Sequence, residues 1–179
     1  MSDTIAPLPF QGVTDYHCHC NFSLDAQGSV EEYCRAALER GLAEICFTTH
    51  YDTNHKLGLS DCLIRVDGEE QPASPVNLAP YVDAVREAAE EFYPLGLSVK
   101  LGLEFGWSEE AEKSATEIKS RYHFDYFMSG LHQLGNMSFW PHGERKSCFD
   151  VYEMEEFLDR YFAQIIKAAV GQHAGRAGV

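Results

Sequence analysis

Positive charge is scarce in this sequence. Its 14 Lys and Arg face 28 Asp and Glu, a formal net charge of −14 with His neutral. Nucleic-acid backbones and anionic membranes bind through basic patches, so neither is an expected partner. Long apolar runs are also absent, with nothing near the roughly 18 residues of a membrane span. The opening Met-Ser-Asp-Thr-Ile-Ala-Pro-Leu-Pro-Phe lacks a basic segment and an apolar core, so it does not read as a secretory signal. Six cysteines occur, Cys18, Cys20, Cys34, Cys46, Cys62 and Cys148, but no C-x-x-C pair. Free thiols in a reducing compartment are therefore expected, with Cys34 and Cys46 as small core residues. No serine-histidine-acid set or P-loop is visible, which argues against a covalent nucleophile or a nucleotide cradle. The expectation is a soluble, cytoplasmic protein. With 45% hydrophobic and 12% aromatic residues in 179, it can bury one core.

What is present is an alternation of strands and helices, with no internal repeat. Gly12–His17 is a β-leaning run, and Ser29–Gly41 reads as a helix with a capping box formed by Ser29 and Glu32. Glu44–Thr49 is a short apolar strand, followed by a long polar loop from His50 to Pro75. A helix is expected over Asn77–Tyr93, then a strand over Ser98–Glu104. Ser108 is expected to cap a helix reaching Arg121, with Glu109, Glu110 and Glu112 in its first turn, where the dipole favours acids. Phe124–Ser129 is a further strand, and Val151–Val170 a further helix. Such alternation predicts an α/β fold with a parallel sheet and helical crossovers. A closed eight-unit barrel takes about 250 residues, so this length supplies only part of one.

Metal-ligating residue types fall at the strand ends. The first strand runs into His17-Cys18-His19, the second into His50, the third ends at Glu104, and His132 follows the fourth. Chemistry in parallel α/β folds sits at the carboxyl ends of the strands, where the loops converge on one face. His17 and His19 are two apart, so an extended backbone points both the same way and Cys18 and Cys20 the other. Imidazole and carboxylate at one mouth suit zinc, manganese or iron. His55, His123, His142 and His173 read as surface or loop residues, and Trp107 as either a wall of the mouth or ordinary packing. Taken alone, Asp25 reads as the start of the turn before Ser29. Lys56, Arg65, Arg145 and Lys146 lie in loops on the strand-end face, where a solvated surface charge and an aid to phosphate binding both remain open.

Four ordered motifs, Asp15–Asp25, Phe47-Thr-Thr-His50, Gly102-Leu-Glu104 and Asp125–His132, resemble the PHP (polymerase and histidinol phosphatase) superfamily in its histidinol-phosphatase branch. The resemblance implies a distorted (β/α)7 barrel, of which this single PHP-like domain, residues 1–179, would provide about four units. It also implies a cluster of two or three divalent metal ions hydrolysing a small phosphorylated substrate, as in histidine biosynthesis. Position by position, it makes His17, His19, His50, Glu104 and His132 metal ligands, with His17, His19, Glu104 and His132 catalytic through the metal. Asp25 joins the ligands, because many family members have Asp there. Histidinol phosphatases commonly have His at that position, which weakens the case for histidinol phosphate.

The family pattern also includes a later strand ending in Gly-His and an Asp-x-His. Neither is matched after His132, and Gly171-Gln-His173 does not supply the first. Two further readings therefore stand beside a phosphatase. One is a truncated or non-catalytic metal-binding module that needs a partner chain or a second copy to complete its barrel. The other is a different metal-dependent hydrolase, since the same metals activate water against C–N bonds. A half barrel leaves unpaired strand edges and uncovered apolar surface, so self-association or a partner is expected.

Overall fold

A computed structural model describes residues 12–54, 62–108, 111–141 and 144–174. Its elements are β1 (Val13–Cys18), α1 (Val30–Glu39), β2 (Leu42–Phe47), β3 (His50–Tyr51), β4 (Leu63–Val66), β5 (Glu69–Pro72) and α2 (Ala79–Phe92). They continue with β6 (Ser98–Gly106), α3 (Ala111–Arg121), β7 (Tyr126–Gly130), β8 (Gln133–Leu134), β9 (Met137–Ser138) and α4 (Met154–Ala174). The expected capping box starts α1. The Ser29 hydroxyl accepts from the Glu32 N–H at 3.1 Å, and the Glu32 carboxylate accepts from the Ser29 N–H at 2.7 Å.

Strand β6 organises the sheet because its side chains alternate. Val99, Leu101, Leu103 and Phe105 are buried in the core shared with Val82, Val85 and Phe92 of α2. The alternate residues Ser98, Lys100, Gly102 and Glu104 take the opposite face. Parallel pairing joins β1 to β2 and β2 to β6, and β7 also runs parallel to β6. The short β3 pairs His50 with Glu104 in the same register that β2 keeps along β6. The two are one strand interrupted at Thr48 and Thr49. β7 takes the other edge of β6, giving the spatial order β1, β2/β3, β6, β7. Adjacent strands lie about 4.8 Å apart, so a flat sheet would separate its outer strands by roughly three times that. Instead the rings of Tyr16 and Tyr126, on those outer strands, stand 5.2 Å apart, edge to face. The sheet is strongly curled.

Several expectations need correction. The stretch from His50 to Pro75 is not one loop, because it contains β3 and the antiparallel hairpin β4–β5. Asp67 and Gly68 both take positive φ, 51° and 82°, the backbone of a tight two-residue hairpin turn. The Ser108 hydroxyl does not cap α3; it is buried without a hydrogen-bond partner, and α3 begins at Ala111. Glu109 and Glu110 lie outside the described residues, as do His55, Lys56 and His142. The last helix starts at Met154 rather than Val151, because a 3-10 turn at Cys148–Asp150 comes first. All six cysteines are buried. Among the described residues, no helix is long and apolar enough to cross a membrane.

Tyr81 ties the helical layer to the sheet. It is fully buried, and its hydroxyl lies 2.7 Å from the Phe47 carbonyl oxygen and 2.8 Å from that of Gly102. Tyr81→Phe keeps the ring and removes this bond. It is expected to lower stability by about 1 kcal/mol in urea denaturation with an unchanged slope. An unchanged midpoint would contradict the assignment.

Candidate metal centre

The side chains of the site arrive from strand ends and adjoining loops, and local backbone devices aim them. In β1 the pairing steps from Asp15–Ile45 to Cys18–Phe47, an irregularity that fits one extra residue into β1. The Asp15 carboxylate accepts the His17 N–H at 3.0 Å within that bulge. His17 Nε2 and His19 Nε2 then both lie 2.9 Å from Glu104 Oε2, while Cys18 and Cys20 are buried on the far side. At the β2–β3 interruption, the Thr49 hydroxyl meets the Ser23 hydroxyl at 2.7 Å, and His50 N–H donates to Ser23 Oγ at 3.1 Å. His50 Nδ1 comes within 3.5 Å of Glu104 Oε2. His132, beyond β7, places Nε2 3.0 Å from Glu104 Oε1.

Asp25 joins from the loop between β1 and α1. Its Oδ2 lies 3.0 Å from His19 Nδ1 and 3.3 Å from His50 Nε2. That loop is pinned by Arg65 of β4, whose guanidinium donates to the carbonyls of Asn21, Ser23, Leu24 and Ala26 at 3.1–3.3 Å. Arg65 is thus occupied with the backbone that holds Asp25 rather than turned to a phosphate. His123 is exposed away from the cluster. The structure therefore brings together all six residues singled out in the sequence, His17, His19, Asp25, His50, Glu104 and His132.

One residue of the cluster escapes the sequence reading. Asp52 Oδ1 lies 2.9 Å from His132 Nδ1, and its Oδ2 is 4.0 Å from His50 Nδ1. A signal for it exists in the spacing. His50 and Asp52 are two apart around a buried Tyr51, as His17 and His19 are around Cys18.

The cluster is electrically tense. Burial raises the proton affinity of Glu104, but hydrogen bonds to His132 and His19 outweigh it and hold the carboxyl far below the usual carboxylate range. Burial opposes charge on His132 too, yet Asp52 and Glu104 outweigh it and push the imidazole up to about 10. The same carboxylate contacts overcome burial at His19 and raise it. Asp25 is lowered, its bond to His19 outweighing burial. His50 goes the other way, because burial and the neighbouring His132 charge outweigh Glu104. Burial also pushes the Cys20 thiol up to about 11, so it stays a protonated packing group at neutral pH.

Three overlapping groups have donor atoms within 4.8 Å of one another. They are His17, His19 and Glu104; His19, Asp25 and His50; and His50, Glu104 and His132. Two ligands each about 2.1 Å from one ion lie at most ~4.2 Å apart, so such groups need only small adjustments to hold one. The buried Nδ1 of His50 has no hydrogen-bond partner, which suits a nitrogen awaiting a ligand. The donor set, imidazole with carboxylate, fits a divalent transition metal.

A family model described as the PHP domain matches residues 15–179. The chain belongs to the PHP domain family. This PHP domain is 28% identical over 134 residues to a protein named "Probable histidinol-phosphatase" from Deinococcus radiodurans, covering 72% of the chain and 45% of that relative. It is 27% identical to the histidinol-phosphatase of Lactococcus lactis over 69% of the chain and 40% of the relative. A crystal structure of histidinol phosphate phosphatase from Lactococcus lactis, complexed with zinc, L-histidinol and phosphate, superposes with a TM-score of 0.56 at 24% identity. That match covers 73% of this chain and 44% of the other, and its fold makes the curled sheet a partial barrel of the PHP type. The PHP domain spans about half the length of the curated relatives it matches.

Gly130 lets His132 and Glu104 approach each other, since a Cβ there would stand 2.2 Å from His132 Nε2 and 2.7 Å from Glu104 Oε1. Gly130→Ala is expected to part the two side chains. An NMR titration of the metal-free protein would then show the His132 value falling from about 10 toward its ordinary 6.5. Because the folded value lies above the unfolded one, the His132 contribution to metal-free stability is full below pH ~6.5 and is lost as pH rises through about 10. A His132 titration unchanged in the variant would refute this coupling.

Proposed function

We propose that this PHP domain, residues 1–179 acting as one domain, is a metal-dependent phosphoesterase that hydrolyses a small phosphomonoester. The observation that carries the reading is the Glu104 carboxylate, 6% exposed, with imidazoles from three other strand ends gathered on its two oxygens. His17, His19, Asp25, His50, Glu104 and His132 are the proposed ligands, in the three overlapping groups, for two or three ions. A divalent metal held by these residues would lower the pKa of a water and offer positive charge to the phosphoryl oxygens. The chain's own part is to hold the donors in place, with Glu104 shared between groups and Arg65 fixing the loop of Asp25. A chain of net charge −14 otherwise repels a phosphate, so a cationic mouth answers a problem its composition sets.

The names of the relatives support histidinol phosphate as the first substrate to try, and the zinc complexed in the related crystal structure supports zinc. Manganese and iron suit the same donors. A cytoplasmic location is part of this reading, since six cysteines without a C-x-x-C pair are expected to stay reduced there. Metal analysis should be followed by phosphatase assays with added zinc or manganese, on histidinol phosphate and on an aryl phosphate. His17→Ala and Glu104→Ala are each expected to reduce kcat/KM by at least ~100-fold and to lower metal content. A metal-loaded protein that turns over neither substrate overturns the enzymatic reading.

A second reading is a metal-binding module that works only when another chain or a second copy covers it. It is favoured by Met154, Leu158, Phe162, Ile166 and Val170, four residues apart along α4 and between 41% and 63% exposed. Such a contiguous apolar stripe marks an interaction surface. Size exclusion with light scattering is expected to report an assembly larger than the 20.1 kDa chain. A stable monomer at every concentration rejects this reading.

A further inference from the structure

Asp52 sits where a carboxylate can govern the donor atom of a neighbour. Its Oδ1 is 2.9 Å from His132 Nδ1, on the side of the ring opposite the Nε2 that faces Glu104. Its other oxygen is turned toward His50, so one carboxylate addresses both imidazoles of the His50, Glu104 and His132 group. The side chain is 17% exposed, unlike a surface ion pair. Its seat is shaped by the backbone of β6: a Cβ on Gly106 would lie 1.5 Å from Asp52 Oδ1 and 2.6 Å from its Cγ. The absence of a side chain at Gly106 is what lets the carboxylate reach His132 Nδ1.

We infer that Asp52 is a positioning residue for the metal centre: it holds the proton of His132 on Nδ1, orients the ring, and so presents the Nε2 lone pair to a metal. This rests on the metal reading proposed above and adds a role for a residue outside the ligand set. The physical reason is tautomeric. A neutral imidazole carries one N–H, and the acceptor that takes it decides which nitrogen is left to bind. A carboxylate in that place also makes the ligating nitrogen more basic. Gly106 belongs to the same device, because the three atoms nearest to a Cβ there are all of the Asp52 side chain.

The test measures zinc affinity by competition with a chromophoric chelator, and the visible spectrum after cobalt(II) substitution, for the parent, Asp52→Ala, Asp52→Asn and Gly106→Ala. Asp52→Ala and Gly106→Ala are expected to weaken zinc binding by roughly 10- to 100-fold and to change the cobalt bands. Asp52→Asn keeps an acceptor for the Nδ1 proton and is expected to fall between them and the parent. Zinc affinities within about twofold of the parent in both Asp52→Ala and Gly106→Ala overturn the inference, since a ring held by its carboxylate must lose affinity without it. So does a loss of helical circular dichroism in the metal-free variants that accounts for the weaker binding, since Asp52 would then act in folding. If the parent itself binds no zinc or cobalt, it is the metal reading that fails, and the positioning role fails with it.

Discussion

A carboxylate at the end of the central strand, nearly out of water, is the constraint around which this molecule is arranged. Burying an ionised group is costly unless it is paired and hydrogen-bonded. Glu104 meets that demand with imidazoles on both of its oxygens, drawn from β1, β3 and the segment after β7. No single element could provide them. The bulge in β1, the interruption between β2 and β3, and Gly130 beside the pair all act to bring a nitrogen to that carboxylate. Three carboxylates and four imidazoles are in contact there, and His132, raised to about 10 by Asp52 and Glu104 against its burial, shows how far such pairing pulls a proton affinity.

Parallel strands make such convergence possible. Every chain direction in the sheet is the same, so every carboxyl end opens on one rim. The core lies behind that rim, where α1 and α2 cover β2 and β6, and it gives the site a rigid base. A second, smaller cluster of Leu134, Phe139, Cys148 and Phe157 seats α4 against the β8–β9 hairpin. The other side of α4 keeps its apolar stripe in water, and Tyr16, Glu44 and Lys100 share the open face of the sheet. Both surfaces belong to a partial barrel, in agreement with the half-length match to its relatives.

Much of this was legible in the letters. Strand and helix periodicity gave the order of the main elements, and Ser29 with Glu32 marked the start of α1 because capping is a local interaction. The ligand candidates were legible as residue types at strand ends, and four ordered motifs carried the family resemblance. Other features were harder to read. The β4–β5 hairpin was hidden by its polar composition, although Asp67-Gly68 is a strong turn signal. Ser108 looked like a cap and is not one, since its hydroxyl is turned into the interior. Arg65 looked like a surface cation and is a clamp on a neighbouring loop, which depends on contacts some 40 residues away in the chain.

By itself, then, the sequence determined which chemistry is present: imidazoles and carboxylates at the ends of β-runs, an acidic surface, and an apolar core for one layer of helices on a sheet. Those follow from local propensity and periodicity, which act over a few residues. Tertiary structure decided which donor meets which: that Glu104 is shared, that Asp52 stands behind His132, and that Arg65 serves Asp25. These depend on curl and register between strands far apart in the chain, where a shift of one residue would turn every side chain to the opposite face.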